Sequence, residues 1–308
     1  MTDGRQRSGQ RVGLLYGLGA YGTWGIVPPL FFPLLKPAGP AEILAHRVLW
    51  TAALMVAVLA VGQRLGDLGR LGARTWGLLA CASALISTNW LIYIHAVNSA
   101  HVVDAALGYF VTPLVSVALG AAIFRERLNR GQAVAVGIAV VAVALLAAGE
   151  GGQPVIALGL AVSFALYGAV KKVVEADPRV SVAVETAVAA PLALGYLVVL
   201  NSAGLSQFTE HGGGYMALMA LSGPVTAIPL LFFAAAAQRL PLITLGLLQY
   251  LTPSMQMAWG LVVGDEPMSA SRWAGFALIW MALAVFTTDS FVRAVHTRRA
   301  RPGSLHAS

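Results

Sequence analysis

About ten apolar runs, most of about twenty residues, follow one another along this 308-residue chain, with the charges gathered in short clusters between them. In a helix about twenty residues cover about 30 Å, the thickness of a bilayer's hydrocarbon core. Composition agrees: 58% of residues are hydrophobic, 11% are charged, and the mean hydropathy is +0.75, well above an ordinary aqueous domain. The chain reads as an integral membrane protein. No alternating barrel pattern occurs, so the spans are helices, the one open-ended structure that satisfies its own backbone in lipid. The expected fold class is all-α.

The sequence predicts spans at 12–35, 41–62, 74–97, 101–124, 131–149, 154–174, 180–200, 213–237, 241–263 and 271–290. Ten crossings put both termini on one side. Of the 20 Lys and Arg, only Lys36 and Arg272 fall on the opposite side and Arg47 falls inside a span, which leaves seventeen with the termini. By the positive-inside rule that side is the cytoplasm, and the expected location is the inner membrane. Residues 1–11 form a polar cytoplasmic lead and 291–308 a basic cytoplasmic tail, resting on anionic headgroups or disordered. The run at 12–35 is too long for a cleavable signal peptide. The net charge of +7 follows from this asymmetry, so no nucleic-acid partner is expected. The expected partners are the lipid bilayer and a small-molecule substrate; nothing in the sequence sets an oligomeric state. Cys81, alone of its kind, excludes an internal disulfide and a thiolate metal site and reads as a small apolar filler.

The chain also writes itself twice. Phe110, Thr112, Pro113, Gly120 and Glu126 recur 140 residues later as Tyr250, Thr252, Pro253, Gly260 and Glu266, and Ala96 and Asn98 as Ala236 and Gln238. Upstream the offset becomes 143, matching Tyr21, Trp24, Gly25 and Glu42 to Phe164, Tyr167, Gly168 and Glu185. Self-similarity of this extent makes the molecule two halves of one design, 12–149 and 154–290. Five spans per half is odd, so the second half enters the membrane from the opposite side. Inverted repeats are the architecture of secondary transporters, in which exchange of conformations between halves moves access from one side to the other.

Gly108, Thr112, Ser116 and Gly120 form a smooth stripe on the fourth span, and Gly13 with Gly17 a second on the first; both read as packing surfaces. On the ninth span the matching face is Leu248, Thr252, Gln256 and Gly260. Pro113 and Pro253 stand mid-span, where each removes a backbone hydrogen bond. They suit a moving element, or are simply common in membrane helices.

Ionisable groups inside spans are costly and become site candidates. Glu42, His46 and Arg47 cluster at the outer end of the second span, and Glu185 lies near the inner end of the seventh, close to Lys171 and Lys172. Two readings stand: these groups gate the two mouths or carry protons, His46 being able to titrate near neutrality, or Glu42 neutralises Arg47, Glu185 neutralises a lysine, and His46 is structural. Deeper lie Trp24, Asn89, Trp90, Tyr93, His95, Tyr109, Gln249, Tyr250 and Gln256. Aromatic walls with a few polar groups suit small, partly apolar molecules, and Trp24, Asn89, Tyr93, Tyr109, Gln249 and Tyr250 are the candidate substrate contacts. Equally, they could glue helices together. Asn98, His101 and Asp104, at the outer end, read as solvated.

The runs EILAHRVLW at 42–50, NWLIYIHAVN at 89–98, ALGYFVTPLVS at 106–116, GPVTAIPLLFFAAA at 223–236, TLGLLQYLTP at 244–253 and GDEP at 264–267 together resemble the RarD-type members of the EamA family, within the drug/metabolite transporter superfamily. The resemblance runs from about Leu14 to Asp289. It implies ten helices in two inverted five-helix repeats, a central cavity bordered by helices one, three, four, six, eight and nine, and export of amino-acid-like metabolites or drugs; the subfamily is named for chloramphenicol sensitivity. His95 departs from the pattern, which has a tryptophan there. A membrane enzyme is disfavoured, because no HExxH, GxSxG, phosphate loop or metal-ligand cluster occurs and no cofactor is implied. A channel or scaffold is the remaining rival, and the inverted repeat argues against it.

Overall fold

The computed structural model describes residues 2–98, 102–148, 154–255, 258 and 270–299. Ten helices longer than one turn are described: α1 (Thr2–Phe31), α2 (Pro40–Val61), α3 (Ala73–Asn98), α4 (Val102–Ala122), α5 (Arg130–Ala148), α6 (Pro154–Val173), α7 (Pro178–Ser202), α8 (Gly212–Ala237), α9 (Leu242–Gln249) and α10 (Ala270–Arg299). A 3₁₀ turn, Phe32–Leu35, follows α1, and a one-turn helix, Gly66–Gly69, lies between α2 and α3. There is no strand among the described residues. Among the described residues six helices are long and apolar enough to cross a membrane: Pro40–Val61, Ala73–Tyr93, Arg130–Ala148, Val155–Val173, Pro178–Ser202 and Gly212–Ala237. The protein is thus an all-α, multi-pass membrane protein. His101, Gln256, Gly260 and Glu266 lie outside the described residues.

Local chemistry sets the helix ends. Asp177 accepts the Arg179 backbone N–H at 2.9 Å and Pro178 follows it, an N-cap with proline at the first helical position. Asn129 and Gln132 exchange hydrogen bonds at 2.8 and 3.1 Å, a reciprocal capping box before α5. The two mid-span prolines behave differently. Pro113 sits within a continuous α4. Pro253 has no N–H for the Gln249 carbonyl, and α9 ends at Gln249 before residues 251–255 turn helically again. α1 already begins at Thr2, before the expected span, and Cys81 is exposed on α3 instead of packed as a filler.

Several helices pack against their own sequence counterparts: α2 on α7, α4 on α9 and α5 on α10. Other contacts come in exchanged pairs, α1 with α8 and α3 with α6, α2 with α8 and α3 with α7, α4 with α6 and α1 with α9. The small-residue stripes make these approaches. A Cβ on Gly108 would lie 2.9 Å from the Ala157 carbonyl oxygen on α6, and one on Gly246 would lie 2.8 Å from Ser116 Cβ and 3.0 Å from the Pro113 carbonyl oxygen. On α1, a Cβ at Gly13 would meet Arg239 at 2.7 Å and one at Gly17 would meet Leu248 at 3.0 Å. Both stripes are packing surfaces, as expected.

Candidate functional site

Hydrogen bonds sort the loops to two ends of the bundle. At one end Arg64 pairs with Asp177, Gln238 donates to the carbonyls of Val174 and Ala176, and Glu126 reaches the start of α9. This is the basic end. At the other, Tyr215 donates to the Leu35 carbonyl and accepts from the Ala38 N–H, while Glu42 accepts from Ser206 and Gln207.

Arg47, the cation that the sequence places inside a span, stands on α2 toward this second end. Its Nε donates to the Thr226 hydroxyl of α8 at 3.0 Å, and its guanidinium carbon lies 4.9 Å from the ring centroids of both Phe32 and Trp90, a pair of cation–π contacts. Neither terminal nitrogen has a hydrogen-bond partner, and no carboxylate pairs with Arg47, among the described residues. The local Glu42–Arg47 neutralisation is therefore not formed. Residues five apart point about 140° away from each other around a helix. Glu42, buried, accepts instead from Ser206 Oγ at 3.0 Å and the Gln207 N–H at 2.8 Å. A cavity of about 190 Å³ opens beside Arg47, lined by Phe32, Pro40, Ile43, Leu44, Arg47, Trp90 and Tyr93. Tyr109 backs it, its ring 5.9 Å from that of Tyr93.

The other candidates lie apart from this cavity. Trp24 belongs to a cluster with Tyr21, Phe164 and Phe233, at centroid distances of 5.9, 5.9 and 5.7 Å, and Tyr167 stacks on Phe233 at 5.5 Å. Trp24 and Tyr167 are counterparts in the repeat, so this cluster joins the halves. Asn89 donates to the Leu160 carbonyl at 2.9 Å and to Ser163 Oγ at 3.0 Å, tying α3 to α6. Gln249 and Tyr250 are buried at the break in α9. His46 is buried and stacks on Phe208 at 4.5 Å.

Near the basic end Glu185 accepts from Lys171 Nζ at 2.5 Å, Ser181 Oγ at 2.9 Å and Tyr167 Oη at 3.0 Å. Here the lysine partner of the sequence reading is present, and Lys171 is completely buried. Lys172 donates to the Leu240 carbonyl at 2.8 Å and pairs with Glu126 at 3.2 Å, so α4, α6 and the α8–α9 turn are drawn together. Asp177 lies outside the spans. Partial burial raises its carboxyl pKa, but the Arg179 N–H and Arg64 more than offset this and hold it below the usual range. Phe32, Thr226 and Glu126 were not among the sequence candidates, and Trp90 and Lys172 were named there but not as a substrate contact or as a partner of Glu126. Trp90 was signalled by its place in the NWLIYIHAVN run, Thr226 by its place in GPVTAIPLLFFAAA and Glu126 by its place in the repeat, whereas Phe32 carries no signal apart from the fold.

Comparison with known proteins places this geometry. The EamA-like transporter family matches residues 11–148. Protein RarD of Streptomyces exfoliatus is 51% identical over 95% of this chain and 93% of its own length. A Bacillus subtilis protein named as the uncharacterised transporter YojE is 41% identical over 92% of this chain and 95% of its own. In fold, a protein crystal structure with 20% sequence identity superposes with a TM-score of 0.69, covering 90% of this chain and 96% of that one. The chain belongs to the EamA-like transporter family, as one of its RarD-type members.

Proposed function

We propose that this membrane transporter is a secondary carrier that moves small organic molecules across the inner membrane by alternating access, in the direction of export. Amino-acid-like metabolites and drugs such as amphenicols are the proposed cargo, as the family resemblance implies. Ten crossing helices form two inverted repeats, 12–149 and 154–290, with both termini cytoplasmic. The observation that carries this reading is the pairing of α2 with α7, α4 with α9 and α5 with α10, each helix against its own counterpart. A molecule built so has two related arrangements of its halves, which is what alternating access requires. A second support is the contrast between the ends: Glu126, with Leu242, Ile243 and Lys172, and Arg64, with Asp177, bind the halves together at the basic end, while the Arg47 cavity lies toward the other. This fits a state closed to the cytoplasm.

Within this reading Tyr93 and Tyr109 contact the substrate beside Arg47, Trp24, Asn89, Gln249 and Tyr250 shape the route further in, and Glu42, His46, Arg47 and Glu185 govern the mouths. The test is reconstitution in liposomes with labelled amino acids and amphenicols, with and without a pH gradient. A carrier gives saturable flux and counterflow. Flux without saturation or counterflow would favour a channel, and no flux of any labelled compound would favour a scaffold.

A further inference from the structure

Lys171 and Arg47 are cations on spanning helices, the first fully buried and the second half-buried, and the protein treats them differently. Lys171 has a carboxylate, Glu185, and a hydroxyl, Ser181, within hydrogen-bond reach. Arg47 has one hydroxyl and two aromatic rings. A guanidinium carries five N–H donors and stays charged; here one donor is used by Thr226, and the terminal nitrogens have no partner among the described residues. Arg47 is half-buried and its terminal nitrogens are not enclosed by protein, so they stand open to a counter-ion, and the cation–π contacts meet only part of the charge. The cavity next to it has apolar walls at Phe32, Ile43 and Leu44.

We infer that Arg47 is the anion anchor of the substrate pocket, and that the pocket takes a compact organic carboxylate: the carboxylate on the terminal nitrogens of Arg47, its apolar body against Phe32, Ile43 and Leu44. The planar fork of arginine matches a carboxylate in two parallel hydrogen bonds, with Phe32 and Trp90 holding the fork in place. The volume, about 190 Å³, is below the roughly 300 Å³ at which drug-sized sites begin, so the ligand is a single ring or a short branched chain. A bare phosphate shares the charge but leaves the apolar walls without a partner. Tyr93, at the cavity wall with its ring against that of Tyr109, offers a polar group to a substituent near the carboxylate. The inference rests on the transporter reading for the ligand's passage, but the site itself is a claim about binding.

The test is equilibrium binding to the full chain in nanodiscs, with 3-phenylpropionate, benzoate and 4-methylpentanoate each measured against its own amide, and inorganic phosphate as a further probe. The wild type should bind at least one acid about tenfold or more tightly than its amide, the order expected for a charge-assisted pair. Arg47→Gln should bring acid and amide within about twofold, and Arg47→Lys should fall between. The acid–amide comparison in wild type needs no variant, so a misfolded Arg47→Gln does not decide the matter. Equal binding of every acid and its amide overturns the proposal, as does a preference that survives in Arg47→Gln, and phosphate binding as tightly as the best acid overturns the apolar-body half. Counterflow in liposomes separates the two readings: an acid bound at Arg47 but never exchanged sinks transport and leaves the site, whereas exchange of neutral solutes with no preference for acids sinks the site and leaves transport.

Discussion

Glu126 caps α9 across the join between the halves: one carboxylate oxygen accepts the Leu242 N–H at 2.8 Å and the other the Ile243 N–H at 2.9 Å. These are two of the amides a helix start leaves without an internal partner, and the negative charge also meets the positive end of the helix dipole. Glu126→Ala should therefore loosen the basic end by about 1–2 kcal/mol. Hydrogen exchange at Leu242 and Ile243 should quicken by about tenfold, at roughly 1.4 kcal/mol per factor of ten, with Glu126→Gln in between. Unchanged protection would mean that the cap does not hold this end shut.

The repeat makes Glu42 and Glu185 the same position in opposite surroundings, and their partners differ. Removing the charge at Glu185 leaves Lys171 buried without a counter-ion, a loss of about 3–5 kcal/mol, while Glu42→Gln perturbs hydrogen bonds to Ser206 and Gln207 and should cost about 1–2 kcal/mol. Thermal unfolding in detergent should show the larger fall in Tm for Glu185→Gln, with Lys171→Met restoring part of it. Equal falls, or no rescue, would contradict a buried pair.

If both carboxylates also hold their own mouths closed, each loss should bias the resting population. Glu42→Gln should raise labelling of reporter cysteines reached from the outside and lower that of those reached from the cytoplasm, and Glu185→Gln should do the reverse, by about tenfold for a contact worth about 1.4 kcal/mol. Both variants moving in one direction would leave the two residues a purely structural role.

Close packing at Gly246 gives a stability test that is independent of function. A methyl there meets Ser116 Cβ and the Pro113 carbonyl, whereas one at Gly137 meets nothing within 4 Å. Gly246→Ala should destabilise by about 1–3 kcal/mol, and Gly137→Ala should be neutral or stabilising by up to about 1 kcal/mol. Chemical or thermal unfolding of the two variants side by side decides it, and a tolerated Gly246→Ala would show that α4 and α9 do not approach so closely.

Topology follows from the distribution of Lys and Arg. Cytoplasmic tags at both termini and in the 125–129 loop, with a cysteine at Gly213 labelled from outside, are the expected result. The background must be Cys81→Ala, since Cys81 is exposed. Protection of Gly213→Cys in a correctly inserted protein would refute the ten-span arrangement.

By itself the sequence determined the solvent, the helical class and the likeness of the halves, because each is written in one dimension: runs of apolar residues, charges between them, and a register that repeats. It also picked out the glycine stripes, since spacing on a helix is geometry that sequence already contains. Partnerships were beyond it. That Lys171, and not Lys172, takes Glu185, while Arg47 goes without Glu42, depends on how α6 lies on α7 and how α2 faces α8. Asn89 and Tyr93 share a face of α3, yet of the two only Tyr93 lines the cavity, while Asn89 is buried and bonded to α6. The pocket brings Phe32, Arg47 and Trp90 together from three separate segments, and contacts between segments far apart in the chain are made only when the helices pack, since hydropathy and spacing specify which face is buried but not which neighbour buries it.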